Sequence, residues 1–94
     1  MNYNGVKMKY FVYILECSDT TLYTGITTDI ERRVQEHNSS DKGAKYTKTR
    51  RPVKLVYSCE CSDRSSASKK EYAIKHLSRK KKLELLHKEY TDKC

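Results

Sequence analysis

The chain has 94 residues, enough for one modest hydrophobic core and too few for a second domain. Twenty Lys and Arg against twelve Asp and Glu give a formal charge of +8, and a chain this short presents that excess as a positive face suited to nucleic acid. A basic composition also keeps small proteins soluble, so the charge alone does not identify a partner.

The sequence pattern excludes a zinc site and a membrane-spanning segment. The four cysteines, Cys17, Cys59, Cys61 and Cys94, contain no C-x-x-C pair, and the histidines do not stand at zinc-site spacing from them. The longest run of apolar residues and tyrosines, residues 10 to 15, is far too short to cross a bilayer. We therefore expect a cytoplasmic protein, and among the oligomeric states, which the sequence leaves open, a monomer is favoured.

The first part of the chain predicts a β-hairpin. Residues 1 to 9 are polar without a clear period, which indicates a loose tail before a single domain over residues 10 to 90. Residues 10 to 15 carry β-branched and aromatic side chains on both alternating faces, as in a strand covered on both sides. A turn-like cluster at residues 18 to 21 separates it from a second strand-like run at residues 22 to 27.

A first helix is predicted from the spacing of Thr28 and Glu31. These two residues match a capping box, in which both side chains bond free backbone N–H groups at a helix start. Ile30, Val34 and His37 then follow at the spacing of a buried helical stripe.

The rest of the chain predicts a loop, a strand and two helices. Residues 39 to 52 have five basic side chains and no period, which is typical of a long, positively charged loop. A third strand is expected at residues 53 to 61, followed by a helix capped by Ser62 or Asp63. A shorter C-terminal helix is marked by Leu83, Leu86 and Tyr90. The order β-β-α-β-α-α predicts an α+β fold, an α/β sandwich in which helices flank a small three-stranded antiparallel sheet.

This order of elements, and the residues within it, resemble the GIY-YIG nucleases. The two motif triplets correspond to Phe11-Val12-Tyr13 and Tyr23-Thr24-Gly25, and Arg33 and Glu71 occupy the family's positions on the two helices. The segments that resemble small stand-alone bacterial members are VYILEC, LYTGITTDIERRVQEHN, GAKYT, RRPVKLVY and E-x-x-IK-x-LSR. The resemblance spans roughly residues 10 to 79. It implies a metal-dependent endonuclease that hydrolyses phosphodiester bonds in DNA, in repair or recombination.

The resemblance also implies five catalytic residues, which are Tyr13, Tyr23, Arg33, His37 and Glu71. Glu71 is placed by helical geometry on or beside the apolar face of its helix. Its role in the family is that of the single protein ligand of one Mg²⁺ or Mn²⁺ ion. A salt bridge to Lys75, at i, i+4, is the structural alternative.

Arg33 and His37 stand four residues apart and project together toward the sheet. A guanidinium can hold a phosphate with two hydrogen bonds, and the resemblance gives Arg33 the contact with the scissile phosphate. It gives His37 a role in proton transfer or phosphate orientation. Outside the family, a histidine on an inward face is more often structural.

Tyr13 and Tyr23 flank the hairpin turn and share a sheet face if that turn has an odd number of residues. Core packing is the alternative role for both. In the family, one of them assists deprotonation of the attacking water, and we favour Tyr13 as this partner. Because a phenol with a pKa near 10 is a poor base at neutral pH, metal-bound water or neighbouring cations must help.

Gly25 indicates either a close approach of backbone or substrate, or a simple bulge. The predicted nucleic-acid contacts are the basic side chains and one stacking ring of the long loop: Lys42, Lys45, Tyr46, Lys48, Arg50 and Arg51. A solvated run of charges is the alternative for this loop.

The motifs depart from the family pattern at Phe11, Thr24 and Ile26, and no asparagine matches the one that ends the motif set of larger members. Without a second domain to read sequence, structure-biased or non-specific cleavage is expected. The main competing hypothesis is a non-catalytic nucleic-acid-binding module with the same fold. A weaker one is a protein-binding seam on the C-terminal helix, whose apolar residues are explained more simply by packing onto the sheet.

Overall fold

The computed structural model describes residues 9 to 86. Its elements in chain order are β1 (Tyr10–Glu16), β2 (Leu22–Thr27), α1 (Ile30–Ser39), α2 (Lys45–Lys48), β3 (Lys54–Cys61), α3 (Arg64–Lys75) and α4 (Arg79–Leu86). The predicted α+β order is confirmed, with the single-turn helix α2 added inside the predicted loop. The predicted tail, apart from Lys9, and Tyr90 lie outside the described residues. Within residues 9 to 86, no helix combines the length and the apolar character that a membrane span needs.

The three strands form one antiparallel sheet in the order β2-β1-β3. β1 takes the central position because its side chains are apolar or aromatic on both alternating faces. Its residues Val12, Tyr13, Ile14 and Leu15 are all buried.

The hairpin turn decides which face Tyr23 occupies. Glu16 pairs with Leu22, which leaves five residues in the turn, an odd number. Tyr13 pairs with Gly25, two residues beyond Tyr23. The two tyrosines are therefore diagonal neighbours on one face of the sheet, as the odd-length condition requires.

Each face of the sheet has its own core. The first cluster lies between the sheet and α3 and consists of Val12, Ile14, Tyr57, Cys59, Cys61, Ala67 and Ile74. Leu85 and Leu86 of α4 pack against this cluster, so the C-terminal helix covers the core. The second cluster consists of Tyr13, Leu15, Cys17 and Val53, with Tyr23 and Val34 packed against it. The predicted site residues of β1, β2 and α1 meet on this second face.

The start of α1 differs from the prediction. The helix is capped by Asp29, whose carboxylate accepts a hydrogen bond from the backbone N–H of Arg32 at 3.1 Å. The predicted capping by Thr28 was wrong because an aspartate at the next position is at least as good a cap. Of the two predicted caps for α3, the one used is Asp63, which accepts from the N–H of Ser66 at 2.7 Å.

Candidate active site

Tyr13 lies at the centre of the second face, over its cross-strand partner Gly25. A Cβ atom at Gly25 would lie 2.5 Å from the Tyr13 hydroxyl oxygen and 2.7 Å from Cζ. The β1–β2 register runs without interruption from Phe11 to Glu16, so Gly25 is not a bulge. What approaches closely at Gly25 is the ring of Tyr13.

His37 is fully buried beneath Tyr13, with hydrogen bonds at both ring nitrogens. Its Nε2 lies 2.8 Å from the Tyr13 hydroxyl, and its Nδ1 lies 2.8 Å from Oγ1 of Thr47. Burial, helped by the positive charges of Arg33 and Arg51 and opposed by the charge of Glu36, lowers the pKa of His37 to about 4. The imidazole is therefore neutral at pH 7.

Thr47 is a member of this site that sequence reasoning missed. It lies on α2 and is fully buried, and its hydroxyl donates to the carbonyl of Ala44 at 2.9 Å. A helix of four residues is too short to produce a periodic apolar pattern. The only signal was its presence in the GAKYT segment of the family resemblance.

Tyr13 remains protonated in the resting site. Burial, helped by the charges of Tyr23 and Glu71 and opposed by the nearby Arg33 guanidinium, raises the pKa of Tyr13 to about 12. Because a phenol this weakly acidic cannot protonate an imidazole with a pKa of about 4, His37 receives a hydrogen bond and not a proton. The site therefore holds a neutral pair.

Arg33 connects Tyr13 to the edge of the loop. Its Nη1 donates to Oε1 of Glu36 at 2.9 Å and to the carbonyl of Lys42 at 2.7 Å, and its guanidinium is close enough to the Tyr13 hydroxyl to lower the pKa of Tyr13. The side chain is 24% exposed, so it reaches both the buried tyrosine and the surface. This is the position that a phosphate-binding arginine needs.

Arg33 also lines an open groove of about 380 Å³ between the starts of α1 and α3. The groove is bounded by Tyr10, Ile26, Thr27, Thr28, Arg32, Arg33, Glu36 and Arg64. Its lining includes three guanidinium groups, one carboxylate and three hydroxyl groups. Glu36 pairs with Arg32 at 3.7 Å and with Arg33 at 2.9 Å. The groove keeps an excess of positive charge and suits phosphate groups.

Glu71 lies on α3 with its side chain 25% exposed, and its Oε2 lies 3.3 Å from Nζ of Lys75. The salt bridge named as the structural alternative is thus present. The carboxylate also acts on the second face, because its charge raises the pKa of Tyr13. Glu71 is therefore an electrostatic neighbour of Tyr13.

The donor set around Glu71 suits a magnesium ion better than zinc. In the described part of the chain, no group of three or more His, Cys, Asp or Glu side chains could hold a metal ion. Zinc needs such a set of protein ligands. Mg²⁺ keeps several waters and is commonly held by one or two carboxylates together with substrate phosphates, a mode of binding that the single carboxylate of Glu71 would allow.

The loop side chains divide into two groups. Tyr46 stacks on Tyr23, with ring centroids 5.9 Å apart, and the guanidinium carbon of Arg50 lies 3.9 Å from the Tyr46 ring centroid. The Tyr23 ring in turn lies 5.1 Å from that of His37. The loop lysines Lys42, Lys45 and Lys48 are exposed at the surface, and Tyr46 is itself 38% exposed.

Arg51 stabilises the C-terminal end of α1. Its guanidinium donates to the backbone carbonyls of His37 and Ser40, at 2.5 and 2.7 Å, and to that of Glu36 at 3.3 Å. The carbonyls of His37 and Ser40 belong to the last turn of α1 and its cap, where a helix leaves its carbonyls without intrahelical partners, whereas the Glu36 carbonyl also accepts the N–H of Ser40 at 3.1 Å. Arg51 thereby holds the end of the helix that presents His37.

Comparison with known proteins finds a matching domain family and similar bacterial relatives. The family model of the GIY-YIG catalytic domain matches residues 9–84. A UPF0213 protein of Desulfotalea psychrophila is 65% identical over 77 residues, which cover 82% of this chain and 70% of the relative. A UPF0213 protein of Syntrophus aciditrophicus is 59% identical over 78 residues, which cover 83% of this chain and 90% of the relative.

Two solution NMR structures are similar to this fold. A UPF0213 protein from Bacillus halodurans has 49% identity and a TM-score of 0.55, over 84% of this chain and 83% of that one. A protein from E. faecalis has 45% identity and a TM-score of 0.59, over 85% of this chain and 84% of that one. With the domain match and these relatives together, the chain belongs to the GIY-YIG family, among the small UPF0213 proteins.

Proposed function

We propose that this protein is a metal-dependent endonuclease that hydrolyses phosphodiester bonds in DNA, with structure-biased or little sequence preference, in repair or recombination. The observation that carries the proposal is the buried Tyr13–His37 hydrogen bond between β1 and α1, with Arg33 of α1 and the Glu71 carboxylate of α3 both acting on the pKa of Tyr13. The match to the GIY-YIG catalytic domain supports the same chemistry.

Phosphate binding is the first task of the site. Arg33 would contact a non-bridging oxygen of the scissile phosphate, and the neighbouring groove, with Arg32 and Arg64, would hold the adjoining backbone. An Mg²⁺ or Mn²⁺ ion held by Glu71 would supply positive charge to stabilise the pentavalent phosphate and the leaving oxygen. Removing Glu71 therefore removes the ion and not the phosphate groove.

Proton transfer is the second task. The attacking water would give its proton to the Tyr13 oxygen while Tyr13 passes its own proton to Nε2 of His37, across the 2.8 Å hydrogen bond. The low pKa of His37, about 4, opposes this step in the free protein. A phosphate bound to Arg33 offsets one of the charges that lower it, so substrate binding makes the imidazole a better proton acceptor.

The test is cleavage of supercoiled plasmid in the presence of Mg²⁺. We expect nicked product with the wild-type chain and its loss with EDTA, with Arg33→Ala and with Glu71→Gln. Lys75→Ala is the matched control, because it removes the salt bridge partner of Glu71 and leaves the carboxylate in place. Retained cleavage in Lys75→Ala together with loss in Glu71→Gln supports metal binding by Glu71.

The Glu71–Lys75 salt bridge favours one second candidate, a non-catalytic nucleic-acid-binding module. On this hypothesis Glu71 only pairs with Lys75, so Glu71→Gln and Lys75→Ala have the same small effect on stability and none on binding. Two results together would support this module and refute the endonuclease. The wild type would cleave none of duplex, single-stranded and branched DNA, and its salt-sensitive DNA binding would be unchanged by Glu71→Gln.

A further inference from the structure

We infer that Thr47 is a positioning residue that holds His37 in its Nδ1–H tautomer and thereby directs the hydroxyl proton of Tyr13 toward Nε2 of His37. The catalytic consequence rests on the proposed function. The tautomer itself does not, and it can be measured without any cleavage.

Burial makes these groups dependent on one another. His37 and Thr47 are both fully buried, and Tyr13 is 1% exposed. Polar groups in such a place are satisfied by protein partners, because an unsatisfied buried donor is destabilising. The hydrogen-bonding direction of each group therefore constrains the next one.

Thr47 sets which group donates in each of these hydrogen bonds. The Thr47 hydroxyl oxygen lies 2.9 Å from the carbonyl oxygen of Ala44, which can only accept. That carbonyl also accepts the N–H groups of Thr47 and Lys48, at 3.0 and 3.2 Å, so the hydroxyl makes the shortest of its three bonds. When the hydroxyl proton is on this side, Thr47 Oγ1 presents a lone pair to His37.

The rest of the chain of bonds follows from the chemistry of imidazole. Nδ1 of His37, 2.8 Å from Thr47 Oγ1, must then carry a proton. A neutral imidazole protonated at Nδ1 is unprotonated at Nε2, which accepts from Tyr13. All three bonds have one donor and one acceptor, and they run in one direction from Tyr13 to Ala44.

The Nε2–H tautomer of His37 makes poorer hydrogen bonds in this site. Nε2–H would donate to the Tyr13 oxygen, and Nδ1 would accept from the Thr47 hydroxyl and from the N–H of Ala44, which is 3.4 Å away. That distance lies beyond the usual range for an N–H donor, and the Thr47–Ala44 hydroxyl bond would be lost. Tyr13 would then have no unprotonated nitrogen to receive its proton, so the two tautomers assign opposite roles to its hydroxyl.

The tautomer can be read from two-bond ¹H–¹⁵N correlation spectra of the full chain labelled with ¹⁵N-histidine at pH 7. The His37 signals are assigned by their loss in His37→Gln. We expect Nδ1–H in the wild type and in Thr47→Ser, which keeps the hydroxyl. Thr47→Val removes it and leaves the N–H of Ala44 facing Nδ1, so we expect a shift to Nε2–H. A wild-type spectrum of the Nε2–H form, or an unchanged tautomer in Thr47→Val, would overturn the inference.

Cleavage kinetics test the catalytic consequence. Thr47→Val should lower kcat by about 10²-fold or more with little change in KM, and Thr47→Ser should restore most of it. Thr24→Val is the matched control, because Thr24 is a buried threonine on the other face of the sheet; it should change neither tautomer nor kcat. The expected spectra without cleavage by any variant would refute the proposed function and leave the tautomer assignment intact. The expected spectra with an unchanged kcat in Thr47→Val would refute the positioning role.

Discussion

Replacing Gly25 by alanine tests how Tyr13 is held in place. The backbone of Gly25 is outside the left-handed region, so an alanine there causes no backbone strain and its cost is entirely steric. The new Cβ would lie 2.5, 2.7 and 3.1 Å from Oη, Cζ and Cε2 of Tyr13. Real Cβ contacts are longer than this, so either the ring or the strand must move.

The loss of stability expected for Gly25→Ala follows from the contacts that hold the Tyr13 ring. Tyr13 is buried and bonded to His37, so it has no open space to swing into. Overpacking of a core typically costs about 1–3 kcal/mol, and loss of the Tyr13–His37 hydrogen bond adds about 1 kcal/mol. We therefore expect Gly25→Ala to lower the free energy of unfolding by about 2–4 kcal/mol, summing these two ranges, and to reduce cleavage because Tyr13 leaves its place above His37.

Urea unfolding followed by circular dichroism measures the stability loss. The matched comparison is the same substitution in a Tyr13→Leu background, where the clashing atoms are gone and Gly25→Ala should cost less than about 1 kcal/mol. An equal cost in both backgrounds would show that the glycine serves something other than the Tyr13 ring. A cost below about 0.5 kcal/mol in the wild-type background would refute the steric argument altogether.

Three further predictions concern pH, the groove and the loop. Because the pKa of His37 falls from 6.5 to about 4 on folding, the unfolded chain binds more protons between these values. The free energy of unfolding should therefore fall by about 3 kcal/mol as pH drops from 6.5 to 4. Urea unfolding of His37→Gln at the same pH values should show a pH dependence that is smaller by this amount. An equal pH dependence in the wild type and in His37→Gln would contradict the prediction. Arg64→Gln should flatten the dependence of log K for duplex DNA on log salt by about 0.9, measured in EDTA by fluorescence anisotropy. Lys80→Gln on α4 is its control, and an equal change in both would remove the groove's special role. Arg51→Gln should lower the free energy of unfolding by about 2 kcal/mol through its lost carbonyl bonds and leave the salt slope unchanged; a slope change as large as that of Arg64→Gln would instead make Arg51 a DNA contact.

Much of the fold could be predicted because its signals are local. The apolar faces of β1 and the spacing of Ile30, Val34 and His37 on α1 are periodic patterns that need no knowledge of distant residues. The shared face of Tyr13 and Tyr23 followed from the parity of the turn, once the ends of the strands were known. The α1 cap was misassigned to Thr28 because neighbouring residues with similar capping ability cannot be ranked by pattern alone.

The predicted site residues had unequal support from the sequence. Helical spacing placed Arg33 and His37 on one side of α1, and the family resemblance selected Tyr13, Tyr23 and Glu71. The roles of loop side chains could not be ranked in this way, because Arg51 and Lys48 look alike in a basic segment. One lies against the carbonyls at the end of α1 and the other at the surface.

By itself, the sequence determined the family, the order of the elements and the motif residues, because these depend on local patterns and on residue identity. Only the tertiary structure decided what each motif residue contacts: Tyr13 over Gly25, His37 between Tyr13 and Thr47, and Glu71 beside Lys75. The hydrogen bonds of His37 join residues 24 and 10 positions apart in the chain. No periodic pattern encodes such a pair, because its members meet only when the sheet, α1 and the one-turn helix α2 have packed together.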